Sequence, residues 1–232
     1  MKIEVRDLES GYGAGTVVDH VDLDVGSGET VAIVGRNGMG KSTFVKTLLG
    51  CAPKSRGSVR IDGRETVHAR THEIIRAGIS YAPQEAALFA NLTVRDNLYG
   101  ALRRTRIDRA VEAGLFESFP VLAQRLDQRA GTLSGGEQKQ LLLTRCLLRR
   151  PKALILDELS AGLQPSMVDT VARVLTEARR AGPLTVVMVE QNVDLCVALA
   201  GRTVVMKRGR FIAEVPREDP GARAALLTHL AP

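Results

Sequence analysis

The feature that most constrains this chain is a glycine-rich loop between an apolar stretch and a helical pattern. Residues 29–34 read ETVAIV, residues 35–43 read GRNGMGKST and residues 44–49 read FVKTLL. This order is typical of a phosphate-binding loop, because glycines let several backbone N–H groups point at one anion and the helix N-terminus adds its positive dipole. In such a loop Lys41 reaches the β- and γ-phosphates, and the Ser42 hydroxyl can ligate Mg²⁺. An ordinary glycine-rich turn is the alternative, and the flanking strand and helix argue against it.

A second apolar stretch ends in two acids. Residues 153–156 (ALIL) precede Asp157 and Glu158, and a strand with so few polar residues is buried on both faces, as in a parallel sheet. The two carboxylates cannot be placed in the core, so we expect them to emerge at the carboxyl edge of the sheet, beside the phosphate loop if the two strands are neighbours. Asp157 is then placed for Mg²⁺, and Glu158 for the water that attacks the γ-phosphate. Capping of the next segment is the alternative role for the acids.

Periodicity elsewhere in the chain predicts an α/β domain. Strands are predicted at 2–7, 17–25, 57–63, 79–82, 184–189, 203–207 and 211–215, and helices at 71–77, 165–180 and 193–200. From residue 93 to 150 the strand signals vanish and apolar residues recur at helical spacing. We therefore expect a helical subdomain of about 93–150, inserted into one domain that spans 1–232. The tail from Pro216 is predicted to be a short helix or a frayed end.

Charge and composition bear on the class of partner. The 232 residues carry a formal net charge of +6, which suits a nucleic-acid or membrane-surface partner. Many of the arginines, however, are scattered through predicted helices, and only 3% of the residues are aromatic, which leaves little for stacking on bases. We therefore expect solvated helix faces and no nucleic-acid partner.

Signals for membranes and disulfides are weak. No apolar run approaches the length of a membrane span, and the charged, alternating start at residues 1–7 is unlike a secretory signal. The three cysteines, Cys51, Cys146 and Cys196, are far apart and lack metal-type spacing. They are interpreted as buried thiols of a cytosolic protein.

Three polar positions allow both a structural and a functional role. Tyr12, in a GYG turn, is either a turn residue or a surface on which a purine ring stacks. Gln84 follows a predicted strand, at the edge where open α/β sheets present ligand-binding groups. Ser134, in the stretch LSGGEQ, can cap a helix together with Glu137 three residues on, or the same helix start can bind an anion.

With these motifs in one order, the chain resembles an ATP-binding-cassette (ABC) ATPase. Residues 35–43 resemble the family's Walker A loop, and 154–158 its Walker B strand with the catalytic glutamate. Gln84 resembles the Q-loop glutamine, 133–138 the family signature, and Tyr12 falls where the adenine-stacking aromatic lies. The signature separates this family from other phosphate-loop NTPases. The resemblance implies an α/β phosphate-loop NTPase core, with a mostly parallel sheet, an antiparallel β subdomain and an inserted α-helical subdomain.

The resemblance also assigns roles residue by residue. It implies catalytic roles for Glu158, Gln84 and Gln191, and contacts with Mg²⁺ for Ser42, Gln84 and Asp157. It implies contacts with ATP for Tyr12, Gly35, Asn37, Gly38, Gly40, Lys41, Ser42 and Thr43. In the family two chains pair head to tail around two ATP molecules. The residues expected to contact the nucleotide of a partner chain are therefore Ser134, Gly135, Gly136 and Gln138.

A narrower resemblance concerns residues 129–132 (RAGT), which run into the signature, and residues 189–192 (VEQN). Both are similar to one of the two ATPase subunits of branched-chain amino acid importers, a pattern that related urea and amide importers share. Gln191 stands where most ABC proteins carry a switch histidine, and it is expected to donate to the γ-phosphate; capping of the following helix is the alternative. Leu159 and Gln164 replace the family's usual Pro and Asp, which leaves the backbone path after the catalytic glutamate open.

The resemblance implies an ATP-hydrolysing subunit on the inner face of the cell membrane. It would work with a second ATPase chain, a separate membrane permease and, indirectly, a solute-binding protein. The stretch 86–98 is expected to face a partner, and its Phe89, Leu92 and Leu98 are interpreted either as a groove that docks a permease helix or as helical core. An exporter ATPase and a nucleic-acid-associated ABC ATPase are the alternatives. Residues 190–192 argue against the first, and the lack of a coiled-coil insertion or a second cassette argues against the other.

Overall fold

A computed structural model describes residues 1–13, 15–84, 88–100 and 107–231. Its strands are β1 (Ile3–Tyr12), β2 (Gly15–Val25), β3 (Thr30–Val34), β4 (Lys54–Ile61), β5 (Arg64–Glu65), β6 (Ile79–Ala82), β7 (Ala153–Asp157), β8 (Thr185–Glu190), β9 (Arg202–Lys207) and β10 (Arg210–Pro216). Its helices are α1 (Lys41–Leu48), α2 (Thr71–Arg76), α3 (Val94–Tyr99), α4 (Arg109–Ser118), α5 (Pro120–Gln124), α6 (Gly135–Leu147), α7 (Pro165–Arg180), α8 (Val193–Leu199) and α9 (Ala222–Leu230). The tail after Pro216 contains a helix, α9, which is one of the two predicted alternatives, a short helix or a frayed end.

Two sheets organise these elements. The larger sheet has the strand order β10-β9-β3-β8-β7-β6, in which every neighbouring pair is parallel except β10 with β9. The second sheet, β2-β1-β4-β5, is antiparallel throughout. The predicted fold class is thus confirmed. The strand that carries the two acids, β7, is not a neighbour of the strand that leads into the phosphate loop, β3, because β8 lies between them.

The central strands of the larger sheet, β3, β8 and β7, are buried on both faces. Along β3, Val31 and Ile33 belong to one hydrophobic cluster, and Ala32 and Val34 belong to another. Successive side chains of a strand point to opposite faces, so each cluster fills one side of the sheet. The first cluster includes residues of α1 and of the antiparallel sheet, and the second includes residues of α6, α7 and α8. A strand covered in this way has no solvated face, which explains the nearly uniform apolar composition of β3, β7 and β8.

The described residues between β6 and β7 contribute helices and no named strand. Leu98 of α3, Phe119 and Leu122 are buried in the same cluster as Leu154 of β7. These helices therefore pack on the larger sheet through one shared core. The subdomain boundary at about 93–150 stays a prediction.

The prediction of three buried thiols is wrong for one of them. Cys146 and Cys196 are buried, whereas Cys51 is exposed. Cys51 lies between α1 and β4, and its Sγ is 3.3 Å from the Thr71 hydroxyl oxygen. Within the ranges given above, no helix is long and apolar enough to cross a bilayer.

An acidic group of side chains surrounds His20 on the antiparallel sheet. Its Nδ1 lies 2.5 Å from an Asp7 oxygen, and its Nε2 lies 3.8 Å from oxygens of both Glu9 and Asp19. The hydrogen bond and charge of Asp7 raise the pKa of His20 above its usual value of 6.5. Because the folded state binds this proton more tightly than the unfolded state, protonated His20 stabilises the fold. The stabilisation is complete at pH values below the unfolded pKa of about 6.5, and it is lost as pH rises through the folded pKa.

We expect Asp7→Asn to lower the pKa of His20 towards 6.5, as measured by NMR titration of the imidazole protons. The parent should lose stability relative to His20→Gln as pH rises from about 5.5 to 8.5, as followed by urea unfolding at fixed ionic strength. An unchanged His20 pKa in Asp7→Asn would contradict the assigned cause.

Candidate active site

The phosphate loop joins β3 to α1 with a backbone that only glycine fits. Gly38 and Gly40 have φ angles of 77° and 102°, in the left-handed region that favours glycine. A Cβ atom on Gly35 would lie 2.4 Å from the Met206 carbonyl oxygen, and one on Gly40 would lie 2.9 Å from that of Val17. The N-terminus of α1 has no side-chain cap and no acid in its first turn. Its free N–H groups and positive dipole end are therefore left for an anion.

Lys41 is buried inside the loop, with a relative side-chain exposure of 4%. Its Nζ donates to the carbonyl oxygens of Gly35, at 2.8 Å, and Arg36, at 3.1 Å. The same nitrogen lies 3.4 Å from Oε1 of Glu158. An ammonium group has three protons to donate, so these contacts fix its position and leave it facing the carboxylate. Thr43, also predicted to contact ATP, is in the first turn of α1 and is partly buried.

The two acids lie at the carboxyl end of β7 as predicted, but they are buried there: counted over the whole residue, Asp157 is 2% exposed and Glu158 is 6% exposed. The expectation that they cannot be buried is wrong because each finds polar partners. Oδ1 of Asp157 accepts from the Ser42 hydroxyl at 3.1 Å, and Oδ2 accepts from the Tyr81 hydroxyl at 3.4 Å. Burial raises the pKa of Asp157, and the Ser42 hydrogen bond partly opposes that shift. Although β8 separates β3 from β7, the start of α1 thus reaches the acid.

Glu158 accepts hydrogen bonds from two glutamine amides. Nε2 of Gln84 donates to Oε2 at 3.0 Å, and Nε2 of Gln191 donates to Oε1 at 2.9 Å. With Lys41, three side chains from three separate segments of the chain converge on one carboxylate. The two amides and the ammonium group fix the orientation of the Glu158 carboxylate, and therefore the direction from which it can accept a further proton or hydrogen bond.

The backbone at Glu158 is strained. Its φ is 50°, in the left-handed region, which costs a non-glycine residue about 1–2 kcal/mol. The N–H of Glu158 donates to the Val189 carbonyl oxygen at 2.8 Å, and its own carbonyl oxygen accepts from Ala161 N–H at 3.3 Å. Leu159 is buried. The backbone path that Leu159 left open is therefore a tight turn, and such strain persists where the surroundings fix it, often at functional sites.

Gln191 joins the phosphate loop to Glu158 and does not cap a helix. Its Nε2 also donates to Oδ1 of Asn37 at 2.7 Å. The cap of α8 is Asn192, whose side chain accepts from the Leu195 N–H at 3.0 Å. The alternative role of Gln191 as a helix cap is therefore wrong.

The signature segment lies apart from this group of side chains. Ser134 caps α6 through a capping box: its Oγ accepts from Glu137 N–H at 3.3 Å, and its own N–H donates to the Glu137 carboxylate at 2.8 Å. Gln138 donates to the Leu133 carbonyl oxygen at 3.0 Å. Gly135 and Gly136 complete the exposed to half-buried start of the helix. In the described part of the chain, none of these residues has a hydrogen bond or ion pair with the phosphate loop, so capping alone is visible.

The other predicted positions are divided between surface and core. Tyr12 is exposed at the end of β1. Phe89 and Leu92 are exposed, at 65% and 45%, whereas Leu98 is fully buried. Leu98 therefore belongs to the helical core and cannot line a docking groove. Residues 86 and 87, part of the stretch predicted to face a partner, lie outside the described residues.

Sequence reasoning missed three side chains that touch this site or its supporting turn. Tyr81 donates to Asp157, Glu190 accepts from Ser160, and Lys139 donates to a carbonyl oxygen close to the acids. Tyr81 and Glu190 had a usable signal, since Tyr81 lies in the predicted strand that delivers Gln84 and Glu190 directly follows the predicted strand at 184–189.

The comparisons with known proteins decide the family. The family model described as "ABC transporter" matches residues 18–161. The chain belongs to the ABC transporter family. This membership supports ATP hydrolysis as the activity of the cassette.

Curated relatives align with this cassette over nearly their whole length. The high-affinity branched-chain amino acid transport ATP-binding protein BraG of Pseudomonas aeruginosa is 39% identical over 220 residues, which cover 94% of this chain and 91% of BraG. The lipopolysaccharide export system ATP-binding protein LptB of Escherichia coli K12 is 35% identical over 218 residues, which cover 91% and 89%. A solved structure titled "Structure of ATP binding subunit of ABC transporter" has a TM-score of 0.83 at 26% identity and covers 97% of this chain and 94% of its own.

Gln191 tests how the amides act on Glu158. We expect Gln191→Ala to lower kcat for ATP about tenfold while KM changes less than about threefold, because its amide donates to the Glu158 carboxylate whereas most contacts expected for the nucleotide come from the phosphate loop. Gln191→His should stay active and gain a pH inflection between about 6 and 7 that the parent lacks. The measurement is the ATPase rate against pH at saturating Mg-ATP, with the exposed Gln124→Ala as the matched control. An alanine variant as fast as the parent would remove Gln191 from the mechanism.

Proposed function

We propose that the chain is the ATP-hydrolysing subunit of an ABC importer that takes up branched-chain amino acids or a related small polar solute. The observation that carries the hydrolytic part is the convergence of Lys41, Gln84 and Gln191 on the Glu158 carboxylate. The solute and the direction of transport rest on the similarity to BraG and on the VEQN stretch at residues 189–192.

In the proposed reaction Glu158 accepts a proton from the water that attacks the γ-phosphate. Lys41 binds the β- and γ-phosphates, and because its Nζ is already 3.4 Å from the carboxylate, it holds phosphate and base close to each other. The amides of Gln84 and Gln191 orient the carboxylate. Gly35, Asn37, Gly38, Gly40, Ser42 and Thr43 form the phosphate cradle, and Tyr12 offers an exposed ring for the adenine.

The residues present fit a magnesium ion. Mg²⁺ in proteins is usually held by one or two carboxylates together with substrate phosphates and waters. The Asp157 carboxylate and the Ser42 hydroxyl lie 3.1 Å apart, and the Gln84 amide donates to the carboxylate of the next residue, Glu158. These three residues would hold the ion, which neutralises charge on the β- and γ-phosphates when bound.

A second ATPase chain would complete the nucleotide site. Ser134 and Gly135 are exposed at the N-terminus of α6 and, among the described residues, have no hydrogen bond or ion pair with the chain's own phosphate loop. In a head-to-tail homodimer or heterodimer, Ser134, Gly135, Gly136 and Gln138 would meet the phosphates held by the partner chain. Each charge-assisted hydrogen bond of this kind contributes about 1.5–3 kcal/mol. ATP would thus stabilise the closed pair, and hydrolysis would remove that difference in affinity.

A membrane permease and, indirectly, a solute-binding protein are the remaining proposed partners, with the chain bound to the inner face of the membrane. Phe89 and Leu92 support a docking site, because two large apolar side chains are exposed a few residues after Gln84. If Gln84 moves when the γ-phosphate binds or leaves, the movement would shift the nearby Phe89 and Leu92. No nucleic-acid partner is proposed.

One observation favours a second candidate, an exporter ATPase. LptB, whose name assigns it to lipopolysaccharide export, is similar over 91% of this chain at 35% identity. The core motifs serve either direction of transport, so membrane partners and solute separate the two candidates.

The test is transport by the reconstituted complex. The tagged chain, expressed in its source organism, is purified from detergent-solubilised membranes with its membrane chains and placed in liposomes. We expect ATP-dependent uptake of leucine, isoleucine or valine when the matching binding protein is added, and none with Lys41→Ala, which lacks the phosphate-binding amine.

Uptake of urea or an amide instead would identify the related solute class. ATP-dependent extraction of lipid, with no response to amino acids, would replace the importer by the exporter.

A further inference from the structure

The loop that follows the catalytic glutamate is held from two sides. This loop, residues 159–164, is called the post-glutamate loop below. Its first residues stay close to Glu158, because the Ala161 N–H donates to the Glu158 carbonyl oxygen at 3.3 Å and the Leu163 N–H donates to that of Ser160 at 3.0 Å. Any shift of this loop therefore moves the strained residue that carries the base.

Glu190 holds the loop from the end of β8. Its Oε1 accepts from the Ser160 N–H at 3.0 Å, and its Oε2 accepts from the Ser160 hydroxyl at 2.6 Å. Glu190 and Ser160 are buried, and burial raises the pKa of Glu190. A buried carboxylate whose two oxygens both accept hydrogen bonds from one residue holds that residue strongly in place. Gln191, the next residue, donates to Glu158, so one strand end supports the base and its turn together.

Lys139 holds the same loop from α6. Its Nζ donates to the Ala161 carbonyl oxygen. Burial lowers the pKa of Lys139, and the negative charges of Glu190 and Glu158 oppose that shift. Lys139 lies five residues after Ser134, so the bond ties the helix that begins at the signature to the turn that carries the base.

We propose that Lys139 is a positioning residue for catalysis. Together with the Glu190–Ser160 hydrogen bonds it holds the post-glutamate loop in place, and the loop in turn fixes the orientation of the Glu158 carboxylate. In the described residues Lys139 makes no hydrogen bond with Glu158 or with the phosphate loop, and the atom that it contacts in the post-glutamate loop is the Ala161 carbonyl oxygen. This inference rests on the proposed hydrolytic role of Glu158.

The first test removes the ammonium group and keeps the aliphatic stem. We expect Lys139→Met to lower kcat for ATP about tenfold, with KM changed less than about twofold, because a displaced base slows the reaction without weakening nucleotide binding. Lys139→Arg, which can still donate to the Ala161 carbonyl oxygen, should recover most of the rate. The exposed Lys152→Met is the matched control and should keep the parent kcat.

The second test asks whether both contacts serve one function. We expect Ser160→Ala, which loses the hydroxyl bond to Glu190, to lower kcat as well, and the double variant to be no slower than the slower single variant. Residues that hold one element couple in this way, whereas independent residues give multiplied losses. Thermal unfolding and ATP binding are measured for each variant, so that a folding defect is recognised.

Two results would overturn the proposal: Lys139→Met with the parent kcat, or a double variant whose loss is the product of the single losses. An inactive parent would instead contradict the proposed function itself, so the two failures are distinguishable.

Discussion

The buried ion pair of Lys41 and Glu158 is the interaction on which the site depends. Their side chains are 4% and 8% exposed, and their charged atoms lie 3.4 Å apart. Taking each ion out of water costs on the order of several kcal/mol, so the pair is tolerable only where the other donors and acceptors are satisfied. The carbonyl oxygens of Gly35 and Arg36 satisfy the amine, and two glutamine amides satisfy the carboxylate. Because a triphosphate brings negative charge to the same amine, the phosphate and the base would share Lys41.

The sheet delivers these groups to one place. The carboxyl ends of β3, β8 and β7, three adjacent parallel strands, supply the phosphate loop, Gln191 and the two acids. Ligands of open α/β sheets bind at such an edge because loops there carry polar groups that a buried strand cannot. The strand between the loop and the acids has its own role, since its last residue, Glu190, supports the turn after Glu158. The strand order β3-β8-β7 therefore brings the phosphate loop and the acids to one edge of the sheet, although their strands are not neighbours.

Local motifs made much of this predictable from sequence. The phosphate loop, the apolar strands and the capping box of α6 depend on residues within a few positions of each other, and the structure contains all three. Long-range contacts decided the errors. Burial of Asp157 needs hydroxyls from Ser42 and Tyr81, which are far away in sequence. Long-range packing also decided between the two roles predicted for Leu98, because helices that periodicity alone cannot place bury it in the core. The role proposed for Lys139 depends on a carbonyl 22 residues away, for which the sequence has no signal.

The most direct test of the account is the fate of ATP in Glu158→Gln. The amide keeps the shape of the side chain and one of its two acceptor oxygens, but it cannot take a proton from water. Single-turnover hydrolysis and light scattering with Mg-ATP should show ATP bound, a hydrolysis rate about 10²–10⁴-fold below the parent, and a stable two-chain assembly. Lys41→Ala should fold but fail to bind ATP. Hydrolysis by Glu158→Gln at the parent rate would contradict the central claim and place the base elsewhere.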